Sequence, residues 1–157
     1  MKHLLAAAAV LAIASVASAA DWLRYDNARY AYSIEVPPGF GPVEEAQNGD
    51  GGVTRSAGGN AELAVWGSMI IDDDFRSEVA SRIASDMNDG WDISYDVRRE
   101  TAASWSGTRN GRILYSRALS GCDGTAGFFR LEMDASAKEA YDPVVTRLVK
   151  TFTRPGC

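Results

Sequence analysis

The chain has 157 residues, with 16 basic against 21 acidic side chains and a single histidine, for a net charge of −5. An acidic chain with dispersed arginines has no concentrated basic footprint to displace counterions, which argues against nucleic acid and anionic membrane surfaces as partners. The one histidine is His3, so any processing that removes the first residues also removes imidazole chemistry.

Such processing is expected. Met1-Lys2-His3 is a short positive start, Leu4 to Val16 is a nearly unbroken apolar run, and Ala17-Ser18-Ala19 fits the small-residue pattern of a signal peptidase site. The expected organisation is a cleaved signal over 1–19 and one domain over 20–157, periplasmic or secreted. The apolar run stops before Asp21, short of the about 20 residues a membrane-spanning helix needs. No stable membrane insertion is expected after cleavage, and no cysteine stands at the cleavage position to take a lipid.

Along the mature chain, Tyr30, Tyr32, Ile34 and Val36 alternate in YAYSIEV and Pro37-Pro38-Gly39 stops the run, which predicts a first strand. Residues 41–52 read as a glycine- and acid-rich loop. VTRSA, the turn Gly58-Gly59-Asn60 and AELAVWGSMI predict a hairpin. Asp72-Asp73-Asp74 then opens a helix with Phe75, Val79, Ile83 and Met87 as its apolar stripe, Glu78 and Arg82 as an exposed pair, and Gly90 as its stop. Trp91, Ile93, Tyr95 and Val97 predict one face of a strand over 91–99. SWSGTR and RILYSRAL flank Asn110-Gly111, a dipeptide that favours positive φ at both central positions of a tight hairpin turn. TAGFFRLEMD is the next strand. A final helix over about 142–152 has Asp142 as cap, Pro143 in the first turn, and Tyr141, Val144, Leu148 and Phe152 on one face. The expected class is α+β: a single antiparallel sheet of six to seven strands packed against two main helices.

The two cysteines, Cys122 and Cys157, both lie in the mature chain. In an oxidising compartment two cysteines predict one disulfide, and alternating strand and helix directions bring the Cys122 end back toward Cys157. The bond would close a loop of about 35 residues, worth roughly 3–4 kcal/mol in the chain-entropy model.

Two segments carry a resemblance. The order of aromatic, serine, aliphatic and proline-glycine positions in YAYSIEVPPGF resembles the start of PsbP-like domains, and YDPVVTRLVKTF resembles their end. NGDGGVTRSAGGNAELAVWG is similar to a small family of uncharacterised exported bacterial proteins. The PsbP resemblance implies an antiparallel sheet between helices and action by binding partner proteins, since members include an extrinsic photosystem II protein and a Ran-binding nuclear transport factor. No partner-contacting residue carries over to a position in this chain, and fold analogy does not fix function.

Without histidine, the mature chain cannot build serine–histidine–acid or cysteine–histidine catalysis, nor zinc sites on imidazole. Its two lysines, Lys138 and Lys150, do not follow a serine at SxxK spacing, and no GxSxG, GxGxxG or P-loop pattern occurs. No cofactor is expected. Asp72-Asp73-Asp74 reads as a helix start, whereas a carboxylate pair in a cleft is what glycoside hydrolysis would need. Glu44, Glu45, Asn48 and Asp50 offer oxygens in one loop, without the spacing of a calcium-binding EF-hand. Arg98, Arg99, Arg109 and Arg112 fall at opposite ends of their strands, so they do not read as one anion site. Trp91 reads as core. Trp66 and Trp105, with Arg98 and Arg99, stand as candidates for a contact surface. The leading reading is an exported non-enzymatic domain that binds an envelope protein or a small ligand. A small carboxylate-dependent hydrolase and a passive envelope accessory protein are the alternatives.

Overall fold

The computed structural model describes residues 21–121 and 124–155. The elements run β1 (Leu23–Asn27), β2 (Tyr32–Val36), β3 (Glu44–Glu45), β4 (Gly51–Arg55), β5 (Ala61–Met69), α1 (Phe75–Asn88), β6 (Asp92–Arg98), β7 (Ala102–Arg109), β8 (Arg112–Ser120), β9 (Thr125–Asp134) and α2 (Lys138–Thr151). Seven strands form one antiparallel sheet in the order β3-β4-β5-β9-β8-β7-β6, and β1 and β2 pair in a separate hairpin. This is the α+β layering expected from the alternation of strands with two amphipathic helices.

Strand alternation sends apolar side chains to both faces of the sheet. Val79 and Ile83 of α1 pack with Trp91, Trp105, Leu114 and Phe128 on one face. On the other, Leu148 of α2 and Phe152 pack with Tyr32, Ile34, Leu63 and Phe129. The hairpin is joined to the chain end by Ser33 and Thr153, whose backbones exchange two hydrogen bonds of 2.9 Å. The two covering layers are offset. The α1 cluster draws on β7, β8 and β9, whereas the β1–β2 hairpin and α2 gather over β5, β9 and part of β8. The α2 side of β6 and β7 is therefore left open.

Local signals explain most boundaries. Asp74 caps α1, its carboxylate accepting the Ser77 N–H at 2.8 Å. Asn110 and Gly111 both have positive φ, 48° and 76°, as the β7–β8 turn requires. Gly67 leaves the space on β5 that the Tyr30 ring fills, where a Cβ would lie 2.2 Å from the ring.

Four expectations are corrected. Met87 is exposed, and Asp86 occupies the buried position instead. Four-residue spacing drifts round a helix, so 87 lies about 120° from Phe75 while 86 lies about 20° away. The Glu78–Arg82 pair is not on the surface: Glu78 is 3% exposed, and the Arg82 guanidinium lies 4.0 Å from the centre of the Phe128 ring. The last helix begins at Lys138, after a 3-10 turn over Ala135–Ala137. Asp142 accepts from Lys138 Nζ at 2.7 Å rather than capping, and Pro143 sits inside the helix. Finally, Glu44–Glu45 adds a strand where a loop was expected, the hairpin strand β4 begins at Gly51 rather than Val53, and Leu23–Asn27 forms a strand that was not expected.

Tyr32 links the hairpin to the core. Its hydroxyl donates to the Asp50 carbonyl at 2.9 Å, and burial, reinforced by Tyr25, raises its phenol far above the ordinary value near 10. The folded chain thus holds this proton more tightly than the unfolded chain. The contribution is complete below about pH 10 and declines above it, where the unfolded state alone ionises. Equilibrium unfolding should show stability falling above about pH 10, with a shallower fall in Tyr32→Phe. Equal alkaline slopes would contradict this assignment.

Candidate functional site

The open part of the sheet forms a groove of about 540 Å³, bounded by β6, β7 and β8 and by Val145 and Val149 of α2. The sequence of β7 explains the floor. Ala103 and Trp105 point to the α1 core, so Ser104 and Ser106 point the other way, small and polar. Strand register then lays Val97, Ser104, Arg117 and Phe129 in one row across four strands, with Tyr95, Ser106 and Tyr115 in the next.

A β-bulge makes the groove wall. Ile93 pairs with Gly107 but Tyr95 pairs with Ser106, so one extra residue, Ser94, interrupts the ladder. Trp91 and Ile93 face α1, whereas Tyr95 and Val97 face the groove. The expectation that 91, 93, 95 and 97 share a face is corrected here, because a bulge shifts the two-residue period by one. Tyr95 is 51% and Val97 37% exposed, two large apolar side chains turned outward side by side.

Arg117 lies in the floor. Its Nη1 donates to Ser104 Oγ at 3.0 Å, and its buried Nε has no hydrogen-bond partner among the described residues. Burial lowers the guanidinium's proton affinity, and only the Tyr95 phenol works against that. Of the other half-buried arginines, Arg82 has Glu78, Arg130 has Asp86 and Arg112 has Asp134, whereas Arg154, also lowered by burial, donates to Thr125 Oγ1 at 2.8 Å and has a buried Nε without a partner among the described residues. No Asp or Glu is among the described residues lining the groove. A charge held this way costs stability. Arg117→Met keeps most of the apolar stem and drops the charge, so it should stabilise the protein by about 1 kcal/mol in thermal unfolding. A loss of stability would mean that the guanidinium has a compensating partner.

The sequence candidates separate across the sheet. Arg99 lines the groove. Arg98 pairs across the ladder with Ala103, on the α1 face, and its guanidinium is hydrogen-bonded to Asp96 at 2.9 Å. Trp105 lies beneath the groove with its indole on the α1 side, where Nε1–H donates to Asp86 at 2.7 Å; it is buried core, not contact surface. Trp66 is half-buried on that same side, stacked on Phe128 at 5.3 Å. Arg109 lies over Trp91 at 4.5 Å, and Trp91 is buried as expected. In the acidic loop, Tyr25 donates to Glu45 and Arg29 pairs with Asp50. Among the described residues no three His, Cys, Asp or Glu side chains converge to hold a metal. Cys122 and Cys157 lie outside the described residues.

No family model matches the sequence, and no curated protein matches it. Solved structures do match. The solution structure of cyanobacterial PsbP (CyanoP) from Synechocystis sp. PCC 6803 superposes with a TM-score of 0.65 at 16% identity, over 92% of this chain and 99% of that one. The chain has a PsbP-like fold. The Saccharomyces cerevisiae Ran-binding protein Mog1p shares it, with a TM-score of 0.61 at 13% identity over 87% and 96% of the two chains. At these identities the likeness is one of fold, and the PsbP-like architecture does not itself assign the groove a role. No helix among the described residues is long and apolar enough to cross a membrane.

Proposed function

We propose that the chain is an exported, non-catalytic binding domain, cleaved near Ala20, whose ligand seat is the groove over β6, β7 and β8. The observation that carries this is the bulge at Ser94, which turns Tyr95 and Val97 outward beside a floor that holds a desolvated cation. Bulges next to binding sites commonly re-aim side chains in this way, and the cavity has the size of a small-molecule pocket. That one protein of similar fold, Mog1p, is Ran-binding agrees with a binding role, by analogy of fold.

The hydrolase alternative needs two acids converging with at least one raised pKa. Asp26, Glu35 and Asp74 are instead held below the ordinary carboxylate range, by Arg24, Arg147 and the Ser77 backbone N–H respectively. The buried acids Glu78 and Asp86 are each engaged by an arginine away from the groove. These arrangements favour the binding reading.

The test is a photoreactive diazirine side chain at position 97 or, as a control, at Ile71 on the exposed segment before α1, illuminated in the native envelope. A specific adduct from 97 and none from 71 is expected, and intact mass separates a small ligand from a protein. No adduct from 97, or equal labelling from both, would contradict the proposed seat.

A further inference from the structure

Resting on that reading of the groove, we infer that its ligand is a small amphipathic carboxylate, with its apolar part against Val97, Val145 and Val149 and its carboxylate on Arg117. In a chain with an excess of acidic residues, the described groove lining holds two arginines and no carboxylate. Arg117 is the better-placed cation. It lies mid-row between Val97 and Phe129, donating to Ser104 Oγ, with its buried Nε unpartnered among the described residues.

A guanidinium presents five N–H donors in a planar fork, and a carboxylate meets two of them in parallel. One half-buried fork matches one carboxylate. The carboxylate would also remove the cost of the desolvated charge, so binding and stability are coupled. Arg99, exposed at the mouth, adds attraction at longer range. The guanidinium lies at the floor, beneath flanking apolar side chains, which favours a ligand that enters whole over a carboxylate presented on a protein surface. About 540 Å³ accommodates such a molecule.

Decanoate is the probe, compared with decanol and decyltrimethylammonium in calorimetric titrations of the purified protein. Decanoate should bind, with decanol weaker by about tenfold to a hundredfold, the range of a charge-assisted hydrogen bond, and the cation weaker still. Arg117→Met should weaken decanoate to the level of decanol. Val97→Asp, at a position exposed enough to tolerate the change, should weaken it as well by placing a negative charge beside the seat. Failure of decanoate to bind, equal binding of decanol, or unchanged binding by Arg117→Met would overturn the inference. If decanoate fails while the photo-adduct at 97 still forms, the carboxylate assignment falls and the groove stands as the seat. If neither occurs, both fall.

Discussion

Asp86→Ala is expected to destabilise the fold by about 3–5 kcal/mol, the cost of breaking a buried ion pair. Asp86 is 6% exposed on the buried side of α1. One carboxylate oxygen accepts from the Trp105 indole at 2.7 Å and the other from Arg130, whose guanidinium also reaches Glu132 at 2.7 Å and lies 5.4 Å from the Trp91 ring centre. Removing the carboxylate strands the buried indole donor and leaves the half-buried Arg130 with Glu132 alone, and that asymmetry makes the loss large. Set against a typical domain stability of about 5–15 kcal/mol, such a change approaches unfolding. Urea denaturation measures it. Asp86→Asn should recover part of the loss by still accepting from the indole, and a loss below about 1 kcal/mol for Asp86→Ala would show the network to be dispensable.

Replacing Cys122 and Cys157 together by serine is expected to cost roughly 3–4 kcal/mol under oxidising conditions, from the closure entropy of a loop of about 35 residues. The described neighbours of both cysteines meet. Arg154 donates to Thr125 Oγ1 at 2.8 Å, and its guanidinium packs on Gly121, where a Cβ would approach within 2.1 Å of it. The chain on both sides of residue 122 is thus held against the C-terminal tail three residues before Cys157, which supports the proposed bond. Non-reducing peptide mapping should recover the linked pair, and the serine variant should match the reduced wild type in its unfolding midpoint. Two free thiols in protein isolated from the oxidising compartment would reject the bond.

Much of the sheet was legible because its signals are local. The Asn110-Gly111 turn, the Asp74 cap and the alternation in β5 and β9 each depend on a few neighbouring residues, and the structure agrees with them. The missing parts depend on partners far along the chain. Leu23–Asn27 has little apolar alternation of its own and becomes a strand by pairing with β2. Ser94 looks like any small residue in a strand, yet the extra position it adds sends Tyr95 and Val97 to the opposite face from Trp91 and Ile93. Asp86 was passed over because polarity outweighed its helical position, which strict 3.6-residue counting would have placed in the buried stripe. The candidate site was the least legible. SWSGTR read only as a hairpin strand, and the place of Arg117 follows from cross-strand register and from the offset of the two covering layers.

Native mass spectrometry of the wild-type protein and Arg117→Met, each isolated from its own compartment without detergent, reads whether the groove is filled. A small acidic species is expected on the wild type, released on unfolding, and absent from Arg117→Met even though that variant melts higher. A wild-type protein that carries nothing, or the same species on both proteins, would contradict a binding function built on this groove and its half-buried cation.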